Sequence, residues 1–261
     1  PGQLNATIDR TTLIDENTIR IASSLTVGGH GMVGCGDGTR GYIFGAFTAG
    51  WNGISYGAGR RIHRITYETE AVALLGQQFD TDYCCTTMTA GNRSHVFLFG
   101  GVKGNASNPA SFWVPETRIQ AFSLSTETLS TRTASMSSLG EFLGSAKFGN
   151  HNVIYIVGGC NINQVWWGAN ARYILRYRIG PDTISQLGIQ LEHSRNALGG
   201  FSSNLSGYVS GGFWTGANSV RSIEKMSGID GTEVMTTLGS NLFYDHAEFP
   251  GVADYAAGHS S

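Results

Sequence analysis

Short apolar runs that stop at glycine recur along the chain: GYIFGA, HVFLFGG, VIYIVGG, SGYVSGG and ADYAAGH. In each, an aromatic residue is followed three positions later by Gly, as Tyr42 to Gly45, Phe97 to Gly100, Tyr155 to Gly158, Tyr208 to Gly211 and Tyr255 to Gly258. The aromatic positions are 55, 58, 53 and 47 residues apart, a period typical of repeat architectures. Each of the first four runs is followed, after a loop, by RIHRITYETEAVALLG, RIQAFSLSTETLSTRT, RYILRYRIGPDTISQLG or RSIEKMSGIDGTEVMTTLG. Apolar residues alternate through Ile62, Ile65 and Tyr67, or Ile119, Phe122 and Leu124. The ETE, TET, GPD or IDG between the two halves supplies turn chemistry, so each segment predicts a hairpin. These hairpins are read as the outer two strands of a four-stranded unit.

The fifth run has no hairpin after it. Its counterpart stands at the other end, where residues 6–21, ATIDRTTLIDENTIRI, repeat the strand, turn and strand with DEN at the bend. Placing residues 1–24 beside 246–261 completes a fifth unit and removes open sheet edges. The predicted fold is therefore all-β: a single five-bladed β-propeller over residues 1–261, with four-stranded antiparallel blades and N-terminal strands closing on C-terminal ones. The expected blades cover about 28–76, 83–133, 142–188, 195–239, and 246–261 together with 1–24.

Composition agrees with many short strands and tight turns: 37 of 261 residues are Gly, 5 are Pro and 14% are charged. A net charge of −2 gives no basic field to attract a phosphate backbone, so nucleic acid is not an expected partner. No run of about 18 apolar residues suggests membrane insertion. The chain opens at Pro1 without Met, as a processed piece of a longer protein would. Cys35, Cys84, Cys85 and Cys160 follow no zinc spacing and are expected as small buried thiols, with pairing left open. Asn5, Asn92, Asn105 and Asn204 begin N-x-S/T triplets that read as turns.

The GG-ending strand, the outer hairpin and the period of about 50 residues resemble kelch repeats, of the galactose-oxidase type. The resemblance spans the whole chain, although the outer-strand Trp usual in kelch repeats is absent. Runs such as YIFGA and YVSGG, followed by an I-x-x-F strand and a T-E-T turn, are also similar to divergent propeller repeats of tailed-phage and bacterial surface proteins. That likeness implies a virion or an extracellular, cell-surface location and attachment to a larger assembly. The galactose-oxidase likeness raises copper chemistry. However, His30, His63, His95, His151, His193, His246 and His259 fall at differing places in the repeat, with no HxH or HxxxH pair. No metal or cofactor is expected.

All five tryptophans, Trp51, Trp113, Trp166, Trp167 and Trp214, fall between a Gly-ending strand and the next strand, and none is on a predicted strand. In an antiparallel blade these loops emerge with the blade-to-blade links, so the indoles gather on one rim. Tyr56, Asn163 and Asn218 lie in the same loops. Indoles among amides and hydroxyls suit a sugar ring or a protein interface; equally, each Trp could fold back over its own blade as a lid. The links carry Asp80, Asp82, Glu141, Glu192, His193, Asp245 and His246. Asp82, Glu141 and Asp245 are the candidate carboxylates for glycoside hydrolysis at a central funnel, against the plainer reading of solvated turn residues. No GxxxxGK, GxSxG or HExxH motif occurs. The leading expectation is a non-enzymatic module that binds a glycan or a neighbouring structural protein through its Trp-bearing face, and the alternative is a glycoside-acting enzyme.

Overall fold

The structure is a computed structural model and describes residues 6–12, 17–26, 32–45, 60–79, 83–84, 87–91, 94–100, 102–103, 114–136, 146–159, 172–196, 198–203, 205–214 and 218–242. In chain order, β1 (Thr7–Thr12) and β2 (Asn17–Ser24) form a hairpin. Then come β3 (Val33–Gly36), β4 (Arg40–Phe44), β5 (Ile62–Thr66) and β6 (Ala71–Leu74), which make blade 1. After the short β7 (Tyr83–Cys84), blade 2 takes β8 (Thr87–Gly91) and β9 (His95–Phe99). It is interrupted by β10 (Val102–Lys103) and β11 (Val114–Pro115), then finished by β12 (Arg118–Ser123) and β13 (Leu129–Ser135). Blade 3 is β14 (Ala146–Gly149), β15 (Val153–Val157), β16 (Tyr173–Arg178) and β17 (Thr183–Gln190). Following β18 (Arg195–Asn196), blade 4 comprises β19 (Gly199–Ser202), β20 (Ser206–Ser210), β23 (Ser222–Ser227) and β24 (Val234–Asn241), with β21 (Phe213–Trp214) and β22 (Asn218–Ser219) between its middle strands.

The chain is all-β and antiparallel as expected, but among the described residues four blades are complete, not five. The hairpin β1–β2 stands as two strands, and the strands expected to complete it, in 246–261, lie outside the described residues. The chain divides into two compact units, Pro1–Cys85 with Lys103–Val114, and Thr86–Val102 with Pro115–Ser261.

The recurring glycines have one cause. Gly45, Gly100, Gly158 and Gly211 take φ of 66°, 55°, 67° and 65°, a region costly for residues with a Cβ. Each ends the second strand of its blade, so the chain leaves the sheet there. The turns between first and second strands are held by side chains that imitate backbone acceptors. Asp37 accepts the Thr39 and Arg40 amides, Asn150 those of Asn152 and Val153, and Ser203 those of Leu205 and Ser206.

In the second unit the blades bury apolar flanks against one another. Phe97, Phe99, Ile119, Ala121 and Met136 of blade 2 pack on Ile154, Ile156, Leu175 and Tyr177 of blade 3. The other flank of blade 3, with Phe148, Val153, Tyr155 and Val157, packs on Leu198, Val209 and Met226 of blade 4. A Cβ at Gly207 would overlap the Phe148 ring, so the aromatic flank of blade 3 fits only a glycine there.

Acidic residues in the outer turns link neighbouring elements. Glu70, Glu127, Asp182 and Asp230 all have positive φ, although none is glycine. Asp182 of blade 3 accepts the Thr133 amide at 2.8 Å, takes the Tyr177 hydroxyl at 2.9 Å and pairs with Arg132 of blade 2 at 3.4 Å. On blade 4, the Asp230 carboxylate meets Arg178 of blade 3 at 3.5 Å and its amide donates to the Tyr155 hydroxyl at 2.8 Å. In the first unit Arg10 of β1 pairs with Glu70 of blade 1, and β2 lies against β6. The thiol of Cys35 on β3 is free, and burial with the nearby Asp37 pushes it up to about 12, so it stays protonated and unreactive.

Candidate functional site

Blade 4 shows how the link end of a blade is built. The link strand β18 pairs with β21, which pairs with β22, so Arg195 lies opposite Trp214, and Trp214 opposite Asn218, along the backbone. On its other side the link meets blade 3, whose Gly159 amide donates to the Arg195 carbonyl at 2.9 Å. The loop after the second strand and the blade-to-blade link therefore share one end, as antiparallel order requires. Strands β7, β10 and β11 form a second three-stranded sheet, in the order β11-β10-β7.

A buried ion pair fixes this end of blade 4. The Arg195 guanidinium is fully buried and donates from Nη1 to the Gly211 carbonyl at 3.1 Å, the Ser222 carbonyl at 3.3 Å and the Ser222 hydroxyl at 3.1 Å. Its Nη2 pairs with Glu224 Oε1, while Glu224 Oε2 accepts the Glu192 amide at 3.1 Å. Burial pulls the Arg195 pKa down and the Glu224 carboxylate opposes it. Both groups are charge-paired and hydrogen-bonded, the condition under which buried charge is tolerated. The clamp ties the link, the second-strand glycine and the third strand into one rigid base for the Trp214 loop.

The third-strand position of Glu224 carries a polar residue in other blades too. Its cross-strand counterparts are His63 in blade 1 and Gln120 in blade 2, all buried, whereas blade 3 has Leu175. In the first unit His63 Nε2 bonds the Thr26 hydroxyl at 2.7 Å, again tying a link residue to the third strand. Burial, helped by Arg61, lowers the His63 pKa, and Nδ1 is buried without a hydrogen-bond partner among the described residues. Lys147 on β14 is a buried amine, and burial holds its pKa well below the ordinary lysine value.

The described residues bring few of the expected site residues together. Trp214 and Asn218 occupy adjacent strands of one small sheet, and Trp214 lies on β21, which corrects the expectation that no tryptophan is on a strand. The physical reason is that the link offers unpaired backbone groups, and the loop satisfies them by pairing. Trp51, Tyr56, Trp113, Asn163, Trp166 and Trp167 lie outside the described residues, as do the candidate carboxylates Asp82, Glu141 and Asp245. Glu192 is exposed and accepts the Thr237 hydroxyl at 2.6 Å, with His193 3.8 Å from its carboxylate. Among the described residues no three His, Cys, Asp or Glu side chains cluster as metal ligands. Sequence reading passed over Arg195 and Glu224 and weighed His63 only among possible copper ligands. The available signal was a charged or imidazole side chain at an inward position of an otherwise apolar strand, in IEKM and IHRI.

No family model matches the chain, and no curated protein matches it either. Solved structures do. One, described as the structure of YjhT, superposes with a TM-score of 0.67 at 12% identity, over 85% of this chain and 68% of that one. At that identity the likeness concerns fold alone, and it agrees with the antiparallel blades: the chain has a β-propeller fold.

Proposed function

We propose that this protein is a non-enzymatic recognition module of kelch-like type that binds a glycan or a neighbouring structural protein through the loops at the link end of its blades, on a virion or at a cell surface. The observation that supports this reading is the platform under the Trp214 loop. A buried Arg195–Glu224 ion pair ties the link to the third strand, the Trp214 strand pairs with the link, and the Asn218 strand pairs with the Trp214 strand. A preorganised base lowers the ordering cost of binding, and tryptophan is a frequent interface anchor. The clamp uses up its own charges, which favours a scaffold over a reacting group. Five blades go with this reading, because β1–β2 has the position of an outer hairpin beside blade 1: β2 lies against β6, and Arg10 reaches the turn residue Glu70 as Arg132 reaches Asp182.

A glycan array probed with the intact chain tests the sugar form of the proposal. Binding that falls at least tenfold in Trp51→Ala, Trp167→Ala or Trp214→Ala is the expected result. Glycan binding unchanged in all three would overturn the assignment of the face, and absence of glycan binding would leave protein docking as the surviving form.

A further inference from the structure

Three arginines of the first unit each meet a carboxylate: Arg10 pairs with Glu70, Arg20 with Asp9 at 3.1 Å and Arg40 with Asp37 at 2.9 Å. Arg61, half-buried at the start of the third strand of blade 1, meets none among the described residues. Its Nη1 donates to the Thr26 hydroxyl at 3.4 Å, a long contact for a group with five donors.

Thr26 is exposed on the link after β2, and its Oγ1 also lies 2.7 Å from Nε2 of the buried His63. Burial first, and Arg61 second, pull the His63 pKa below the ordinary 6.5, so the ring is neutral at pH 7 and one nitrogen carries the proton. Nδ1 is buried without a hydrogen-bond partner among the described residues. A proton there would orphan a buried N–H, the rarer case, whereas a proton on Nε2 orphans a bare acceptor. The hydrogen-bond pattern therefore assigns the proton to Nε2. Both His63 and Arg61 then donate to Thr26 Oγ1, and the Thr26 O–H is left to point away from them, into solvent.

A guanidinium cation and a hydroxyl donor thus stand side by side with no acceptor supplied among the described residues. We infer that Arg61 and Thr26, backed by His63, form a binding corner for a singly charged oxyanion, a carboxylate or a sulfate ester carried by an acidic glycan. The inference rests on the reading of the link end as a recognition face. The corner stands at that end of blade 1: the Gly45 amide donates to the Arg61 carbonyl at 3.0 Å, and the chain leaves Gly45 toward Trp51. The planar guanidinium suits a pair of oxygens. Neutral His63 adds no charge at pH 7, so one positive charge calls for one negative. The segment that follows Gly45, FTAGWNGISYGAG, holds the indole, amide and hydroxyl groups that a sugar ring takes.

Titrating the intact chain with acetate, and separately with methyl sulfate, at an ionic strength held constant with chloride reads the corner through the His63 imidazole NMR signals, assigned with His63→Gln. The anions should shift those signals saturably and raise the His63 pKa, since a bound negative charge favours the protonated ring. Among the described residues the charge facing that ring is Arg61, and its cross-strand neighbours Ile43 and Leu74 do not titrate. Arg61→Gln should weaken anion binding about tenfold, the worth of one hydrogen bond to a charged group. Thr26→Val, which keeps shape and charge, should weaken it less, and Arg20→Gln, which removes an equal charge elsewhere in the unit, should leave it unchanged. On a glycan array, carboxylated or sulfated glycans should outbind their neutral counterparts. The absence of a saturable shift, or equal weakening by Arg20→Gln and Arg61→Gln, would sink the corner. Array binding indifferent to acid groups would refute the acidic-glycan assignment. Neutral glycans that still require Trp214, with no anion effect at His63, would remove this corner and leave the recognition face standing.

Discussion

At the residue scale, the positions that matter most combine backbone constraint with burial. Gly158 has φ +67°, and a Cβ there would overlap Leu198 and lie 2.8 Å from the Arg195 carbonyl. Gly158→Ala is therefore expected to cost about 3 kcal/mol, from backbone strain and overpacking together, measurable by urea denaturation. His63 makes a pH prediction. Its folded pKa lies below the ordinary 6.5, so between the two values the unfolded chain binds the extra proton. Stability from the neutral imidazole is thus present above about pH 6.5 and falls as pH drops toward the folded pKa. The denaturation midpoint should decline between pH 7 and 5.5 in the wild type and decline less in His63→Gln; equal slopes would remove His63 as the cause. Such residues were only half legible in the sequence. The repeat displays the glycines, but a buried His63 reads from sequence as a stray polar residue on a strand, because its partner Thr26 lies 37 positions away.

Elements are held to one another by polar links at blade edges and at link ends. Arg132–Asp182 is partly exposed, so Arg132→Ala should cost only about 1 kcal/mol. Asp182→Ala should cost roughly 2 kcal/mol, because it also strips the acceptor from the Thr133 amide and the Tyr177 hydroxyl. Although burial works against ionisation, those donors and Arg132 hold the Asp182 carboxyl below its ordinary value. This stabilisation is present above about pH 4 and lost as pH falls through the lowered pKa. The Arg195–Glu224 clamp behaves differently, because neither partner reaches water. Glu224→Gln or Arg195→Met alone should cost about 3–5 kcal/mol, and the double replacement by Met and Leu less than the sum; equal and additive losses would show that the two groups do not act as a pair. The outer hairpins were legible because alternation and turn residues are local. The small sheets of β7, β10 and β11 and of β18, β21 and β22 were not, since two-residue strands leave no periodicity to read.

For the whole molecule, the repeat carried the architecture: a period near 50 residues, Gly-ended strands and outer hairpins suffice for antiparallel blades, and the likeness to YjhT agrees at the level of fold. The candidate site was less legible. Loop tryptophans show where an end could recognise something, but their chemistry depends on whether the indoles face outward or fold over the blades, and spacing does not encode that choice. In the sequence all five tryptophans fall between a Gly-ending run and the next hairpin, so under the proposal their fluorescence reports on the link end. The most direct measurement is acrylamide quenching of intrinsic tryptophan emission in the native chain, compared with the urea-unfolded chain. The account predicts red-shifted native emission quenched nearly as readily as in the unfolded chain. Blue-shifted emission that resists acrylamide would contradict it, because the indoles would then be lids over their own blades and the link end would lose its recognition surface.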